Sequence, residues 1–213
     1  MTALFPRIYP ILDASILPAD HRAAFLRQLG STLADAGVTL LEYRNKLASD
    51  AEVLADAHIL RAAMPGPLIR LVLDDRTHLV ADCGFDGVHV DAGDDSPAEA
   101  RRLLGPNRIV GTFGGSEALV PGILSVPADY FSIGPVGHTT TKQTSKPPIG
   151  VEGVRRLRAE AGPDAVLSAA GGITFQLAPL LIEAGASMVA VSAAIFRTPD
   201  PAAEFRRWLA VLS

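Results

Sequence analysis

The chain has 213 residues, a formal net charge of -4, 48% hydrophobic and 20% charged residues, and a single cysteine, Cys83. That length and composition fit one globular domain. The acidic balance argues against nucleic acid as the main partner, and one cysteine excludes an intramolecular disulfide. No apolar run is long enough to span a bilayer, no charged-then-apolar leader opens the chain, and no cysteine–histidine cluster suggests structural zinc. A cytoplasmic protein with no membrane partner is expected.

A phrase recurs along the chain: a helical pattern, a small residue, glycine, then an apolar strand. It reads Asp35-Ala36-Gly37-Val38, Asp82-Cys83-Gly84-Phe85 and Glu183-Ala184-Gly185-Ala186. Glycine after a helix permits the left-handed residue that ends it, and strands alternating with short helices imply parallel βαβ units. Eight such units can be read in order. Strand one covers Ile8 to Asp13, and helix one starts near Asp20 and carries Phe25, Leu29 and Leu33 inward. Strand two covers Thr39 to Tyr43, and Ser49…Glu52 opens helix two as a capping box. Strand three is Ile69 to Leu73, with a short helix over His78 to Val80. Strand four is Gly87 to Val90, and helix four opens with Ser96…Glu99 and Pro97. Strand five is Arg108 to Thr112, with a short helix through Glu117, Ala118 and Leu119. Strand six is Asp129 to Ile133, followed by a helix from Val151 to Ala161. Strand seven is Ala165 to Ala169, followed by a helix from Thr174 to Ala184. Strand eight is Met188 to Val191, and the last helix opens at Asp200-Pro201. Eight equal units in a chain of this length predict one closed (βα)8 TIM barrel of class α/β over residues 1–213, with a doubly wound open sheet as the alternative.

In a barrel, ligands sit at the carboxyl ends of the strands. Charge gathers there: Asp13, then Glu42-Tyr43-Arg44-Asn45-Lys46, Asp74-Asp75-Arg76, and Asp91 with Asp94. Arg44 and Lys46 alternate with Tyr43 and Asn45, so both cations face one side of an extended segment. After strand six comes Gly134-Pro135-Val136-Gly137-His138-Thr139-Thr140-Thr141-Lys142, whose hydroxyls, N–H groups and ammonium suit phosphate oxygens. Gly171-Gly172 and Ser192, after strands seven and eight, occupy the usual phosphate position of this fold. Asp75 with Asp91 or Asp94 could offer carboxylate oxygens to Mg²⁺. His89 inside strand four reads as a packed layer histidine, Cys83 as buried and inert, and His58 and His78 as surface residues.

These strand ends resemble the thiamine-phosphate synthase family along essentially the whole chain. The resemblance rests on Glu42-Tyr43-Arg44-Asn45-Lys46, Asp74-Asp75-Arg76, Gly87-Val88-His89-Val90, Gly134-Pro135-Val136 with Thr139-Thr140-Thr141-Lys142, Gly171-Gly172-Ile173 and Val191-Ser192. It implies a Mg²⁺-dependent transferase joining two small phosphorylated heterocycles. An aminopyrimidine diphosphate loses pyrophosphate, and the thiazole nitrogen attacks the resulting pyrimidine-methyl cation. By that resemblance Arg44 and Lys142 act at the departing diphosphate. Glu42, Lys46, Asp74, Thr139 and Thr141 bind the pyrimidine diphosphate, and Gly171, Gly172, Val191 and Ser192 bind the thiazole phosphate. Asp75 and Asp94 hold the metal.

The chain departs from the family in carrying Glu42 where glutamine is usual, Asp74 where asparagine is usual, and Phe113 in place of a serine. Two other readings remain open: a non-catalytic phosphate-ligand binder, and a thiazole tautomerase, whose histidine would fall near Gly115. The residue pattern does not decide whether the chain forms a homo-oligomer.

Overall fold

The computed structural model describes residues 5–138 and 146–212. Eight parallel strands close into a barrel in sequence order: β1 (Ile8–Asp13), β2 (Leu40–Arg44), β3 (Arg70–Asp74), β4 (Gly87–Val90), β5 (Ile109–Gly115), β6 (Tyr130–Ile133), β7 (Leu167–Ala170) and β8 (Met188–Val191). β8 returns to β1 with Ile8 opposite Val189 and Tyr9 opposite Ala190. Around the barrel lie α1 (Arg22–Asp35), α2 (Asp50–Ala63), α3 (Pro97–Leu104), α4 (Gly150–Ala161), α5 (Leu177–Glu183), the short α6 (Ala193–Phe196) and α7 (Pro201–Leu212). 3₁₀ turns at Thr77–Leu79 and Ile123–Ser125 take the helical places after β3 and β5. The expected (βα)8 barrel is therefore present. No helix among the described residues is long and apolar enough to cross a membrane.

Both capping boxes form as the spacing predicts. Ser49 accepts from the Glu52 N–H and Ser96 from the Glu99 N–H, and each glutamate reaches back to its cap. Other boundaries differ. α1 begins at Arg22, preceded by His21 in a left-handed conformation (φ 59°), so Asp20 is not its cap. Its buried stripe is Leu26, Leu29 and Leu33, while Phe25 is exposed. No helix forms over Glu117 to Leu119. Instead β5 runs on to Gly115 through a register shift against β6, and Gly115 bridges back to Leu119. α5 starts at Leu177, three residues later than the pattern suggests, with the Thr174 hydroxyl accepting from the Leu177 N–H at 3.2 Å.

The core has two layers. Leu41, Tyr43, Leu71, Leu73, Val88 and Val90 point outward to meet helix residues such as Leu26, Val53 and Leu60. Tyr9, Leu40, Val72, Ile109, Tyr130 and Met188 point inward and fill the lumen. At the end of the barrel away from the strand carboxyl termini, one device is used three times. A helix arginine grips a side chain at the entry of a strand, and that side chain accepts an N–H of a neighbouring strand. Arg61 pairs with Asp86, which accepts from Leu71 N–H; Arg101 pairs with Asp129, which accepts from Val110 N–H; Arg158 donates to Ser187 Oγ, which accepts from Leu167 N–H. These contacts close the helix layer onto the barrel and leave the opposite mouth for chemistry.

Candidate active site

Side chains on a strand alternate faces, so the inward set of each strand follows from its lumen residue. Leu40 faces inward on β2, hence Glu42 and Arg44 do also. Val72 brings Asp74, Tyr9 brings Ile11 and Asp13, Ile109 brings Gly111 and Phe113, and Met188 brings Ala190. Of these, Ile11, Glu42, Arg44, Asp74, Phe113 and Ala190 line one cavity of about 660 Å³ at the strand carboxyl ends, together with Lys46, His89, Asp91, Asp94 and Ser192.

The floor is a buried hydrogen-bonded chain. Tyr9 Oη donates to Glu42 Oε2 at 2.7 Å and lies 2.9 Å from Tyr130 Oη, which lies 3.0 Å from His89 Nδ1. His89 Nε2 faces Asp91 Oδ1 at 3.8 Å. Burial, reinforced by the Glu42 charge, raises both tyrosine pKa values well above the usual value, so both hydroxyls stay protonated. Burial alone would lower the His89 pKa, but Asp91, Glu42 and Asp74 outweigh it and raise it. His89 is thus the layer residue its strand position suggests, here with a polar partner on each side.

The mouth above β1 to β4 alternates acids and cations. Arg44 pairs with Asp13 and reaches Asp74 Oδ2 at 3.5 Å through Nε. Lys46 Nζ lies 3.4 Å from Asp74 Oδ2 and 2.6 Å and 2.8 Å from the two Asp75 oxygens. Arg44 and Lys46 do share one side, while Tyr43 turns outward to Asp56 and Asn45. Desolvation opposes the charge on both cations, yet the acids beside them hold both pKa values above their ordinary values. Asp74 is buried with Oδ2 lacking a hydrogen-bond partner, and burial with the charges of Glu42 and Asp75 pushes its pKa up to about 7.

Asp75 sits in the left-handed region (φ 68°) with its N–H on His89 O at 2.9 Å, and neither Asp74 nor Asp75 caps the 3₁₀ turn that follows. Burial and a hydrogen bond with Asp75 raise the Asp94 pKa, while the Asp91 N–H, 2.8 Å from Asp94 Oδ2, opposes that rise. Two carboxylates drawn together beside Asp74 Oδ2, which makes ion pairs but no hydrogen bond, form an oxygen-only donor set of the kind that suits Mg²⁺. Among the described residues there is no group of three or more histidine, cysteine or acidic side chains placed as a metal cluster.

Across the mouth, β6 to β8 present an uncharged pole. Gly171 (φ 85°) and Gly172 (φ 70°) are left-handed, and a side chain at Gly172 would meet the backbone of Gly137 and His138. The loop after β6 is fastened there: Val136 and Gly137 N–H groups bond to Gly171 O at 3.1 and 2.8 Å. Ser192 opens α6 and lines the cavity, as does Val191, although the Val191 side chain belongs to the outer core. Thr139, Thr141 and Lys142 lie outside the described residues.

Sequence reasoning singled out most of the rim but missed part of the wall. Tyr9 and Tyr130 carry no site signal in the sequence, and only their meeting across 121 positions makes them a polar pair. Lys146 lies over the Phe113 ring, 4.2 Å from its centroid, and both line the cavity. The sequence already marks Phe113 as a departure from the family, and alternation along β5 adds that it faces inward, whereas nothing local marks Lys146.

Comparison with known proteins gives the family. A family model described as "Thiamine monophosphate synthase" matches residues 8–195. The chain is 38% identical over 201 residues to thiamine-phosphate synthase of Koribacter versatilis, covering 94% of each. It is 39% identical over 197 residues to that of Agrobacterium fabrum, covering 91% of this chain and 88% of the other. Among solved structures, thiamine phosphate pyrophosphorylase from Pyrococcus furiosus superposes with a TM-score of 0.76 over 97% of both chains at 23% identity, a likeness of fold. The length of the match, running from β1 into α6, and the identity to full-length relatives place this chain in the thiamine monophosphate synthase family.

Proposed function

We propose that the cavity joins an aminopyrimidine-methyl diphosphate to a thiazole phosphate, giving thiamine phosphate and pyrophosphate. The methylene C–O bond breaks with its electron pair leaving on pyrophosphate, and the thiazole nitrogen lone pair forms the new C–N bond. No proton need move in either event, which fits a site rich in cations and acids and without an isolated general base. The observation that carries this reading is the division of one cavity into two poles. Arg44, Lys46, Asp74 and Asp94 line it over β2 to β4, with Asp75 bonded to Lys46 beside them, and Gly171, Gly172 and Ser192 line it over β7 and β8.

Arg44 and Lys46 hold the diphosphate at the first pole and offset the charge that grows as pyrophosphate departs. Lys142, Thr139 and Thr141 complete that grip from the loop after β6. Glu42, oriented by Tyr9, and Asp74 orient the aminopyrimidine between the poles. The glycine pair and Ser192 hold the thiazole phosphate, fixing its nitrogen toward the methylene carbon. Asp75 and Asp94 would hold Mg²⁺, which when bound supplies charge neutralisation at the leaving group. The enzyme works on small phosphorylated heterocycles, in the cytoplasm.

The test is a coupled assay of the purified protein with both substrates and Mg²⁺, following thiamine phosphate and pyrophosphate together. Equal formation of both, abolished by a chelator, is expected. Thiazole phosphate binding without either product would instead assign a non-catalytic binder.

A further inference from the structure

The segment joining β2 to α2 carries Lys46 into the cavity, yet its own packing is thin: Leu47 is 99% exposed. Its backbone is held by Arg76 from the next unit. Arg76 Nη1 donates to Asn45 O at 2.6 Å, Nη2 to Ala48 O at 2.6 Å, and Nε to Asp50 Oδ1 at 3.0 Å. His78 Nε2 lies 2.8 Å from the other Asp50 oxygen. A planar guanidinium with five donors spans three acceptors in a way an ammonium cannot.

Arg76 also follows Asp75 directly. The left-handed turn at Asp75, unfavourable for a non-glycine residue, is closed by Arg76 N–H on Asp74 O at 3.0 Å and Thr77 N–H on Asp75 O at 2.9 Å. The Asp75 carboxylate meets the Lys46 ammonium, and the Arg76 guanidinium meets the 45–48 backbone. Lys46 lines the cavity, while Asp75 and Arg76 do not. Two consecutive residues of the β3 turn thereby hold the β2–α2 segment, one through the Lys46 side chain and one through the backbone.

We infer that Arg76 is a positioning residue for the diphosphate pole: by fastening the 45–50 segment to the β3 turn it sets Lys46 and Asp75 in register without touching substrate. This assignment rests on the diphosphate reading of that pole. Among the described residues the Arg76 side chain bonds to Asn45, Ala48 and Asp50, none of them at the glycine pole, so its effect is confined to one half of the cavity.

The experiment uses Arg76→Ala and Arg76→Lys in the full chain, with folding checked by circular dichroism. Pyrophosphate with Mg²⁺ and thiazole phosphate are titrated separately by calorimetry. Amide exchange is read over 45–50, and KM and kcat are read for each substrate. Expected are a pyrophosphate Kd and a diphosphate KM raised about 10- to 100-fold, the range for residues that orient a ligand-binding group from behind. Thiazole phosphate binding is unchanged, and exchange over 45–50 is faster. Arg76→Lys keeps the charge but recovers little, and it serves alone if the alanine variant does not fold. In a cycle with Lys46→Ala, the Arg76 effect on pyrophosphate shrinks several-fold once Lys46 is gone. Unchanged pyrophosphate affinity, full additivity with Lys46→Ala, or equal loss of thiazole phosphate binding would each overturn the assignment. Because exchange and pyrophosphate affinity are read without turnover, a protein that proves inactive still tests Arg76, and failure of the coupled assay remains a separate result.

Discussion

Gly111→Ala tests the link between barrel packing and the site floor. Gly111 faces inward on β5, and Tyr130 pairs with it from β6 with its ring lying over the bare backbone. A Cβ at Gly111 would fall under 3.0 Å from Cζ, Cε1 and Oη of Tyr130, closer than real side chains come. Tyr130 is completely buried, stacked on His89 and edge-on to Tyr9 and Phe5, so the ring has no free direction in which to retreat. Overpacking a core of this kind costs about 1–3 kcal/mol. Displacing the Tyr130 hydroxyl from His89 and Tyr9 removes two hydrogen bonds worth about 1 kcal/mol each. The sum is roughly 3–5 kcal/mol, which lowers the melting temperature of a domain this size by about 10 °C.

Thermal unfolding followed by far-ultraviolet circular dichroism gives the number, and a double-mutant cycle identifies its source. Tyr130→Ala removes the obstructing ring at its own cost of about 3–5 kcal/mol. Adding Gly111→Ala to that variant should then cost under about 0.5 kcal/mol, since the new methyl has space. A single variant melting within about 2 °C of the parent would refute the reasoning, as would full additivity of the two changes, because either means the ring does not rest on Gly111.

Three further outcomes are expected. Gly172→Ala forces a side chain into a left-handed residue facing the Gly137 and His138 backbone, so thiazole phosphate affinity should fall at least tenfold while pyrophosphate affinity stays within about twofold; calorimetry of each ligand decides this. Asp75→Asn keeps the shape but removes one of two converging carboxylates, so the Mg²⁺ concentration for half-maximal rate should rise by about tenfold or more, and an unchanged titration would assign the metal elsewhere. Asp56→Ala strips Tyr43 and Arg22 of their shared partner, and with Arg22 partly solvated the loss should be about 2–3 kcal/mol, read from the urea midpoint at constant slope.

Local chemistry made much of the fold legible. The serine–glutamate boxes start α2 and α3 where spacing places them, and the glycines at 37, 84 and 185 end each helical phrase in a left-handed residue. Legibility failed where a distant contact decides the conformation. β5 runs past Thr112 because Gly115 pairs with β6 through a shifted register, and propensity over Glu117 to Leu119 carries no trace of that partner. In α1 the buried stripe is one residue off the pattern, since Phe25 and Leu26 are adjacent and packing on the barrel picks Leu26. At the site, alternation along β2 put Arg44 and Lys46 on one face, but their partners Asp13, Asp74 and Asp75 come from other strands about 30 positions away.

Those partners change how the acidic departures of this chain read. Glu42 and Asp74 add negative charge beside a proposed diphosphate, which taken alone argues against binding it. Yet Asp74 Oδ2 lies within 3.5 Å of Arg44 and 3.4 Å of Lys46, so in the ligand-free chain both cations rest against carboxylates. A diphosphate entering this pole would compete for them. What it would leave behind is Glu42, Asp74 and Asp75 facing one another with less compensation, a cluster in which burial, reinforced by the charges of Glu42 and Asp75, already lifts the Asp74 pKa to about 7. Like charges gathered in a partly desolvated site are relieved by a proton or by a divalent cation. On the proposed function, the extra acids would set the pole's electrostatics so that anion and cation are favoured together and each is disfavoured alone. Acid at these positions is compatible with pyrophosphate release on that condition, and the condition follows from which carboxylate each cation touches rather than from the net charge of the rim.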